Sequence, residues 1–287
     1  MTILSSPSQM PNPGLLKVSG PDAEKLLEGQ ITCHVAKITP QQGSLAAHCN
    51  PQGRIISLFY LFFLENNYYL LMPQNMLPAA MTALQKFAVF YKVTLSNASH
   101  EMACISYTDR TAIKRPMEKL ATLRVAPHCA RYLALGHPSL IETLHPDMDT
   151  LSAWNDRQLS DGIPSIYPET SEKFLPHELN LEHLGALSFE KGCFTGQEII
   201  ARMQYRGKLK KRLYQAWLTT NKPPQRGADI FNEDHQQMHV CGTLVDAACL
   251  HDSNYRLLII LNDAAASRPL FLDPEQQTTL IISGESP

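Results

Sequence analysis

The stretch EKGCFTGQEIIARM, residues 190–203, places a cysteine between a Lys-Gly pair and the predicted beginning of a helix. Thr195 and Glu198 have the spacing of a capping box, which predicts that the helix begins at Thr195. Cys193 would then lie just outside the helix N-terminus, where the helix dipole and the charge of Lys191 both stabilise a thiolate. The residues alone leave three roles open for Cys193: a nucleophile, a metal ligand or a small residue in a tight turn.

Basic residues follow on and after the same predicted helix. Arg202 and Arg206 are four residues apart and share one helix face, where they can bind a carboxylate or an RNA phosphate; solvated surface arginines are the alternative. The formal net charge of the chain is −2, yet residues 199–228 contain no acidic residue. An anionic partner or a solvated linker would explain this basic window. Its eight basic residues are Arg202, Arg206, Lys208, Lys210, Lys211, Arg212, Lys222 and Arg226.

The composition is that of an ordinary soluble globular protein, with 287 residues, 44% hydrophobic and 18% charged, enough for two or three domains. We find no apolar run of membrane-spanning length and no signal-peptide pattern, so we expect a cytosolic protein without membrane contact. The seven cysteines are odd in number and include no C-x-x-C pair. This pattern argues against a disulfide framework and against a self-contained zinc or iron–sulfur site.

The hydrophobic pattern predicts a mixed α+β chain that ends in β-structure. Before residue 100, it predicts strands at 15–20, 44–62 (a hairpin), 65–73 and 92–96, and helices at 21–30 and 75–91. The middle part, 101–206, contains three predicted strands and a helix at 138–144. From about residue 207, short apolar runs separated by turn residues predict a small β-barrel or a sandwich. No glycine-rich phosphate loop is present, which argues against a nucleotide-binding fold.

Residues 191–198 match the pattern K-G-C-[FY]-x-G-Q-E at every fixed position. This pattern and residues 174–214 closely resemble the YgfZ family. The members of that family are folate-binding relatives of the glycine-cleavage T-protein, which is an aminomethyltransferase. The opening VSGPDAEKLLEGQITCHV, the AAHCNPQGRI hairpin and KFAVFYKV also fit in order, so the resemblance covers essentially the whole chain. It implies a T-protein-like architecture of three domains round a central cleft, with a ferredoxin-like element and a C-terminal β-barrel. The domains would be 1–100, 101–206 and 207–287, with 150–206 packing back on the first.

The resemblance implies a factor that binds tetrahydrofolate or a derivative and supports the maturation or repair of iron–sulfur enzymes, including those that thiolate tRNA. Cys193 and Lys191 would be catalytic, and Cys193 would serve as a transient cluster ligand without a resident metal. Trp154 would stack on the folate, with a plain core tryptophan as the alternative. Arg202 and Arg206 would bind the glutamate tail. Where some relatives carry an aromatic residue before the first strand, this chain has Asn12-Pro13-Gly14.

Two further functions stay open at this point. One is a folate-dependent one-carbon transferase, although the catalytic aspartate of the T-protein has no evident counterpart in the sequence. The other is an RNA-binding module that uses residues 199–228. The partners we expect are folate and iron–sulfur client enzymes, with direct contact to tRNA as an open alternative. We expect a monomer.

Overall fold

A computed structural model of the protein describes residues 7–108, 119–206, 210–234 and 237–285. These residues form two five-stranded sheets and a closed barrel, with short helices between them. The longest helix of the described ranges has 12 residues, and none of them has the length and apolar character that crossing a membrane requires.

The N-terminal part of the chain contains six strands and two helices: β1 (Ser8–Gln9), β2 (Pro13–Ser19), α1 (Ala23–Gln30), β3 (Ser44–Cys49), β4 (Ile55–Leu64), β5 (Asn67–Pro73), α2 (Leu77–Ala88) and β6 (Thr94–Asn97). Five of the strands form the N-terminal sheet, in the antiparallel order β3-β4-β5-β2-β6. Strand β4 is buried along most of its length, in agreement with its almost continuous apolar sequence. The strands and helices predicted here are confirmed, with both helices shorter than their predicted ranges.

The middle sheet contains β1 and four later strands, with a short helix between the last two. In chain order these elements are β7 (Ala103–Tyr107), β8 (Ala121–Arg124), β9 (Tyr132–Gly136), α3 (Pro138–Glu142) and β10 (Asp147–Met148). Its order is β10-β1-β7-β9-β8. Strand β1 pairs in parallel with β10 and antiparallel with β7, so the first described residues belong to the middle sheet, and the chain then enters the N-terminal sheet. The two-residue strands β1 and β10 were not predicted from the sequence, because their pairing partners lie far along the chain.

Helix α4 (Leu151–Ser160) follows, and the sequence pattern did not predict it. Residues 161–196, here called the return segment, then lie against the N-terminal sheet. The carbonyl of Phe174 accepts from the N–H of Ile55 at 2.9 Å, and the Thr32 hydroxyl donates to the carbonyl of Ala186 at 2.6 Å. These contacts join the return segment to the first hundred residues. Helix α5 (Gln197–Arg206) leads out of it.

The C-terminal part is a closed barrel, which decides between the two architectures that the sequence left open. The strands are β11 (Lys211–Thr219), β12 (Asp229–Asp234), β13 (Gln237–His251), β14 (Asn254–Asn262), β15 (Leu270–Phe271) and β16 (Thr279–Glu285), in the order β11-β14-β13-β12-β15-β16. Alternate side chains of β14, among them Leu257, Ile259 and Leu261, form the barrel core. Helix α4 packs against β13 and β14 and so connects the barrel to the rest of the molecule.

Candidate functional site

Residues 191–198, here called the hallmark loop, are anchored by a buried lysine. The side chain of Lys191 is fully buried, and its ammonium group donates to the carbonyls of Glu28, Ile31 and Cys33 at 2.7, 2.7 and 2.8 Å. An ammonium group has three hydrogens, so these bonds use all of them. The carbonyls lie at and just after the C-terminal end of α1, where a positive charge is favourable. Lys191 therefore attaches the loop to α1.

Burial lowers the pKa of Lys191, and the nearby Glu28 carboxylate opposes that effect. The ammonium group also lies 5.1 Å from the centre of the Phe194 ring. The sequence placed this charge beside the Cys193 thiol, whereas the structure directs it into the end of α1. This geometry gives Lys191 a structural role and adds no support to a direct catalytic one.

The predicted capping box is wrong, and the helix begins at Gln197 rather than at Thr195. Thr195 therefore lies two residues before the first helical residue, outside the N-cap position, and its hydroxyl donates to the side-chain oxygen of Gln30 at 3.0 Å. Glu198 instead pairs with Arg202 at 3.1 Å, one helical turn away on the surface. The side-chain oxygen of Gln197 accepts from the N–H of Phe194 at 3.3 Å.

Gly196 explains why the helix cannot start earlier. Its φ of +84° is a conformation that favours glycine, and a Cβ there would lie 2.5 Å from the carbonyl oxygen of Asn50. The loop thus packs tightly on the turn between β3 and β4. By contrast, a Cβ on Gly192 would meet no atom within 4 Å. The loop therefore packs against the protein at Gly196, whereas there is free space at Gly192, next to Cys193.

Cys193 is exposed, as is Cys249, whereas the other five cysteines are buried. Burial raises the pKa of Cys33 and Cys49 to about 12 each, which makes those thiols unreactive. Among the described residues, no group of three or more His, Cys, Asp or Glu side chains could hold a metal ion. A metal cluster bound through Cys193 would therefore take its other ligands from elsewhere.

A separate cavity of about 520 Å³ lies where α4, the N-terminal sheet and the return segment meet. Its walls are mainly apolar, and Trp154 borders it with only 2% of its surface exposed. Asn12, which directly precedes β2, also lines it. The lining residues come from five stretches of the chain: 10–12, 45–75, 151–158, 163–167 and Arg226.

Arg226 is the one residue with a charged side chain among the described residues that line the cavity. Its guanidinium group lies 3.9 Å from the centre of the Tyr167 ring and donates to Asp246 at 2.7 Å. Asp246 is fully buried and also accepts from the N–H of Ser165 at 3.0 Å. Burial raises the pKa of Asp246, and the guanidinium group of Arg226 opposes this rise. The ion pair holds a hydrogen-bond donor in the cavity wall, and the contacts of its two members with Tyr167 and Ser165 connect the barrel to the return segment.

Tyr60 and Gln158 form a second polar group in the cavity wall. The side-chain amide of Gln158 contacts the Tyr60 hydroxyl, with its nitrogen at 2.9 Å, and accepts from Arg131 at 2.5 Å. Arg131 in turn pairs with Asp161, with its Nε 2.8 Å from a carboxylate oxygen. Tyr60, Gln158 and Arg131 are each at most 5% exposed. Burial raises the pKa of Tyr60, so its hydroxyl stays protonated and can donate a hydrogen bond.

The structure separates the residues that the sequence singled out. Trp154 lines the cavity, whereas Lys191, Cys193 and Arg202 do not. Arg206 ends α5, and its side chain lies outside the described residues. The sequence did not identify Tyr60 or Gln158 as site residues, and it counted Arg226 only as part of the basic window. Gln158 follows Trp154 by four residues, a spacing that relates the two side chains only where the segment is known to be a helix, and α4 was not predicted.

The basic window is less available to an anionic partner than its sequence indicated. Three of its arginines pair with carboxylates from outside the window: Arg202 with Glu198, Arg212 with Asp263, and Arg226 with Asp246. Lys210, Lys211 and Lys222 are exposed, while the side chain of Arg206 and the whole of Lys208 lie outside the described residues.

Comparisons with known proteins agree with this architecture. No protein-family model matches the chain. The tRNA-modifying protein YgfZ of Klebsiella pneumoniae (strain 342) is 30% identical over 271 residues, which cover 87% of this chain and 83% of that protein. The tRNA-modifying protein YgfZ of Enterobacter sp. (strain 638) is 28% identical over 295 residues, which cover 93% and 89%.

Among solved structures, the glycine cleavage system aminomethyltransferase T from Bartonella henselae superimposes with a TM-score of 0.70 over 97% of this chain and 85% of that one, at 13% identity. This likeness concerns the fold, and it confirms the predicted α+β, T-protein-like architecture with a C-terminal barrel. The sequence relatives show the closer relationship, because they are 30% and 28% identical over most of both chains, against 13% for the solved structure. The chain belongs to the YgfZ family.

Proposed function

We propose that the protein binds tetrahydrofolate or a derivative in the cavity beside Trp154 and, in the cytosol, supports iron–sulfur enzymes on which tRNA modification depends. The observation that carries the folate part is an apolar cavity bordered by an indole and by one guanidinium group. The tRNA-modification part rests on the names of the two relatives. The iron–sulfur part rests on the family resemblance and on the exposed cysteine of the hallmark loop.

The cavity has the properties that a folate requires. Its volume of about 520 Å³ lies within the range of roughly 300–1,000 Å³ that is typical of small-molecule sites. A folate combines flat rings, which favour apolar and aromatic walls, with a tail that carries carboxylates. Trp154 offers an aromatic edge or face for the rings. Arg226 offers N–H donors for an oxygen of the ligand.

The proposed role of Cys193 is to meet a client protein or its cluster at the surface. The loop that carries it is held rigidly by Lys191 and Gly196, while Cys193 itself is exposed and has open space beside it. Lys191 acts on this role by holding the loop in position. Folate in the cavity and Cys193 on the loop are thus two separate sites of one protein.

The experiment is a calorimetric and fluorescence titration with a panel of folates in their oxidised and reduced forms. The chain has two tryptophans, so a Trp217→Phe protein reports on Trp154 alone. Trp217 lies in the barrel, where the Arg256 guanidinium group stacks on it at 4.3 Å. We expect saturable quenching of Trp154 by tetrahydrofolate. Absence of binding by calorimetry for every folate of the panel would contradict the proposed function.

A further inference from the structure

The polar wall of the cavity, Tyr60 and Gln158, has a hydrogen-bond direction that can be worked out. The two ends of a glutamine amide are ordinarily assigned from their surroundings, because oxygen and nitrogen look alike. Here the surroundings decide. Arg131 donates to one end of the Gln158 amide at 2.5 Å, and a guanidinium group has donors but no acceptor. That end must be the oxygen.

Arg131 is itself fixed in place. Its Nε donates to Asp161 at 2.8 Å, and only 5% of the residue is exposed. A flipped Gln158 amide would put two donors against each other inside the protein, which costs about as much as a lost buried hydrogen bond. The amide nitrogen of Gln158 therefore points to the Tyr60 hydroxyl, 2.9 Å away.

The direction of the Gln158 amide determines what Tyr60 can do. Its hydroxyl oxygen accepts from Gln158, so the hydroxyl keeps its own hydrogen for a different acceptor. The Gln158 oxygen, 3.2 Å away, accepts the shorter bond from Arg131 and can accept this hydrogen only in a second, longer bond. A hydroxyl hydrogen rotates freely towards a better acceptor. Towards the cavity, the polar wall thus presents donors: the Tyr60 O–H and the second hydrogen of the Gln158 nitrogen.

We propose that Tyr60 and Gln158 recognise a hydrogen-bond acceptor on the ring system of the ligand, the 4-oxo edge of the pteridine, with Arg131 as a positioning residue. Gln158 follows Trp154 by four residues on α4, so both side chains lie on one helix face and both line the cavity. A flat ring against the indole presents its edge to the amide. This inference rests on the proposed folate site and adds its ring specificity.

The test compares folic acid with 4-amino-4-deoxyfolic acid, in whichever oxidation state the protein binds more tightly. The second compound replaces the 4-oxo acceptor with an amino donor and the adjacent N3–H with a bare ring nitrogen, and the rest of the molecule is the same. Against a wall of donors, the amino group leaves buried donors without a partner. We expect the wild-type protein to prefer the 4-oxo compound by roughly 5- to 150-fold, which corresponds to about 1–3 kcal/mol.

The decisive variant is Gln158→Glu, which keeps the shape, keeps an acceptor for Arg131 and replaces the donor with a second acceptor. We expect its preference to fall to about onefold or to reverse in favour of the 4-amino compound. Tyr60→Phe, which removes only the hydroxyl, should lower the preference by about 5-fold or more. The matched control is Tyr69→Phe, a buried tyrosine of the same sheet that does not line the cavity, and it should leave the preference unchanged.

The readout is the ratio of two dissociation constants measured on one protein, so a loss of folded protein cancels. If the wild-type protein binds no folate, the proposed function fails and this inference fails with it. If folate binds but the wild type does not prefer the 4-oxo compound, or if neither variant changes the ratio, the inference alone is overturned. Should Gln158→Glu not fold, Tyr60→Phe against Tyr69→Phe decides.

Discussion

The hallmark loop and the cavity differ in how their residues are held. In the loop, Lys191, Thr195 and Gly196 each make contacts that attach eight consecutive residues to α1 and to the β3–β4 turn. In the cavity, Trp154 and Arg226 come from distant parts of the chain and meet only in the folded state. The contiguous residues of the hallmark loop thus mainly hold one exposed cysteine in place. The residues that line the cavity, which suits a ligand, form no contiguous motif.

The largest effect should follow from breaking the anchor of the loop. Lys191→Met removes three buried hydrogen bonds, and each carbonyl left unpaired costs about 1–3 kcal/mol, so we expect the free energy of unfolding to fall by about 3 kcal/mol or more. Urea denaturation measures it. The control is Lys37→Met, because the Lys37 side chain is 57% exposed and its ion pair should contribute less than ~1 kcal/mol. Equal losses in the two variants would show that Lys191 is not the anchor.

The second-largest effect should be a loss of stability at low pH, which arises in the N-terminal sheet beside the cavity. Burial, with a smaller contribution from Lys86, lowers the pKa of His48 in β3 to about 4. In the unfolded chain this pKa is about 6.5, so the unfolded state takes up the proton first as the pH falls. The stability associated with neutral His48 is complete above about pH 6.5 and is lost as the pH falls to about 4, by roughly 3 kcal/mol in all.

Equilibrium unfolding at a series of pH values measures this loss, and His48→Leu should flatten the curve between about pH 6.5 and 4. An unchanged pH dependence in that variant would mean that other groups cause the acid sensitivity. Following Trp154 fluorescence and Cys193 labelling in parallel also tests whether the cavity and the hallmark loop are lost together.

A more local effect is expected in the cavity alone. Trp154→Leu should weaken tetrahydrofolate binding by roughly 5- to 150-fold, because stacking of an aromatic side chain on a flat ring contributes about 1–3 kcal/mol. Titration calorimetry measures it, with Trp217→Leu in the barrel as the control. Unchanged affinity in a folded Trp154→Leu protein would remove this residue from the site.

The smallest effect on stability and on folate affinity should come from Cys193→Ser. The side chain is exposed and the loop is held by its neighbours, so the free energy of unfolding should change by less than about 0.5 kcal/mol. In the native protein, alkylation should label Cys193 and Cys249 and spare the five buried cysteines, as mass spectrometry can show. The variant should nevertheless fail to support tRNA thiolation in a strain that lacks the protein, and full support would contradict the proposed role of the thiol.

Regular elements were predictable where the local pattern decides. The strands of the barrel and the β3–β4 hairpin were predicted because their apolar runs end at turn residues. Helix α4 was not predicted, although Thr150 caps it by accepting from the N–H of Ala153 at 3.1 Å. The sequence of α4 is only weakly apolar, and its burial pattern is explained by its position between the barrel and the cavity.

The site was predictable only in part, because its geometry depends on long-range contacts. Trp154 was identified through the family resemblance. The predicted capping box fails because the helix begins only after Gly196, which packs against the carbonyl of Asn50 in a distant turn of the chain. Likewise, Arg226 looked like one charge of a basic surface until Asp246, twenty residues later, was seen to pair with it.

Strand β1 carries a consequence for the order in which the protein assembles during synthesis. Residues 13–97 contain every strand of the N-terminal sheet, so that sheet can form once this part has left the ribosome. The partners of β1 are β7 and β10, and the second of these ends at Met148. Until β7, which ends at Tyr107, has been made, residues 10–12, which line the cavity, are secured at only one end. The remaining lining residues extend to Arg226, so the ligand pocket is completed late, after more than three quarters of the 287 residues have been made.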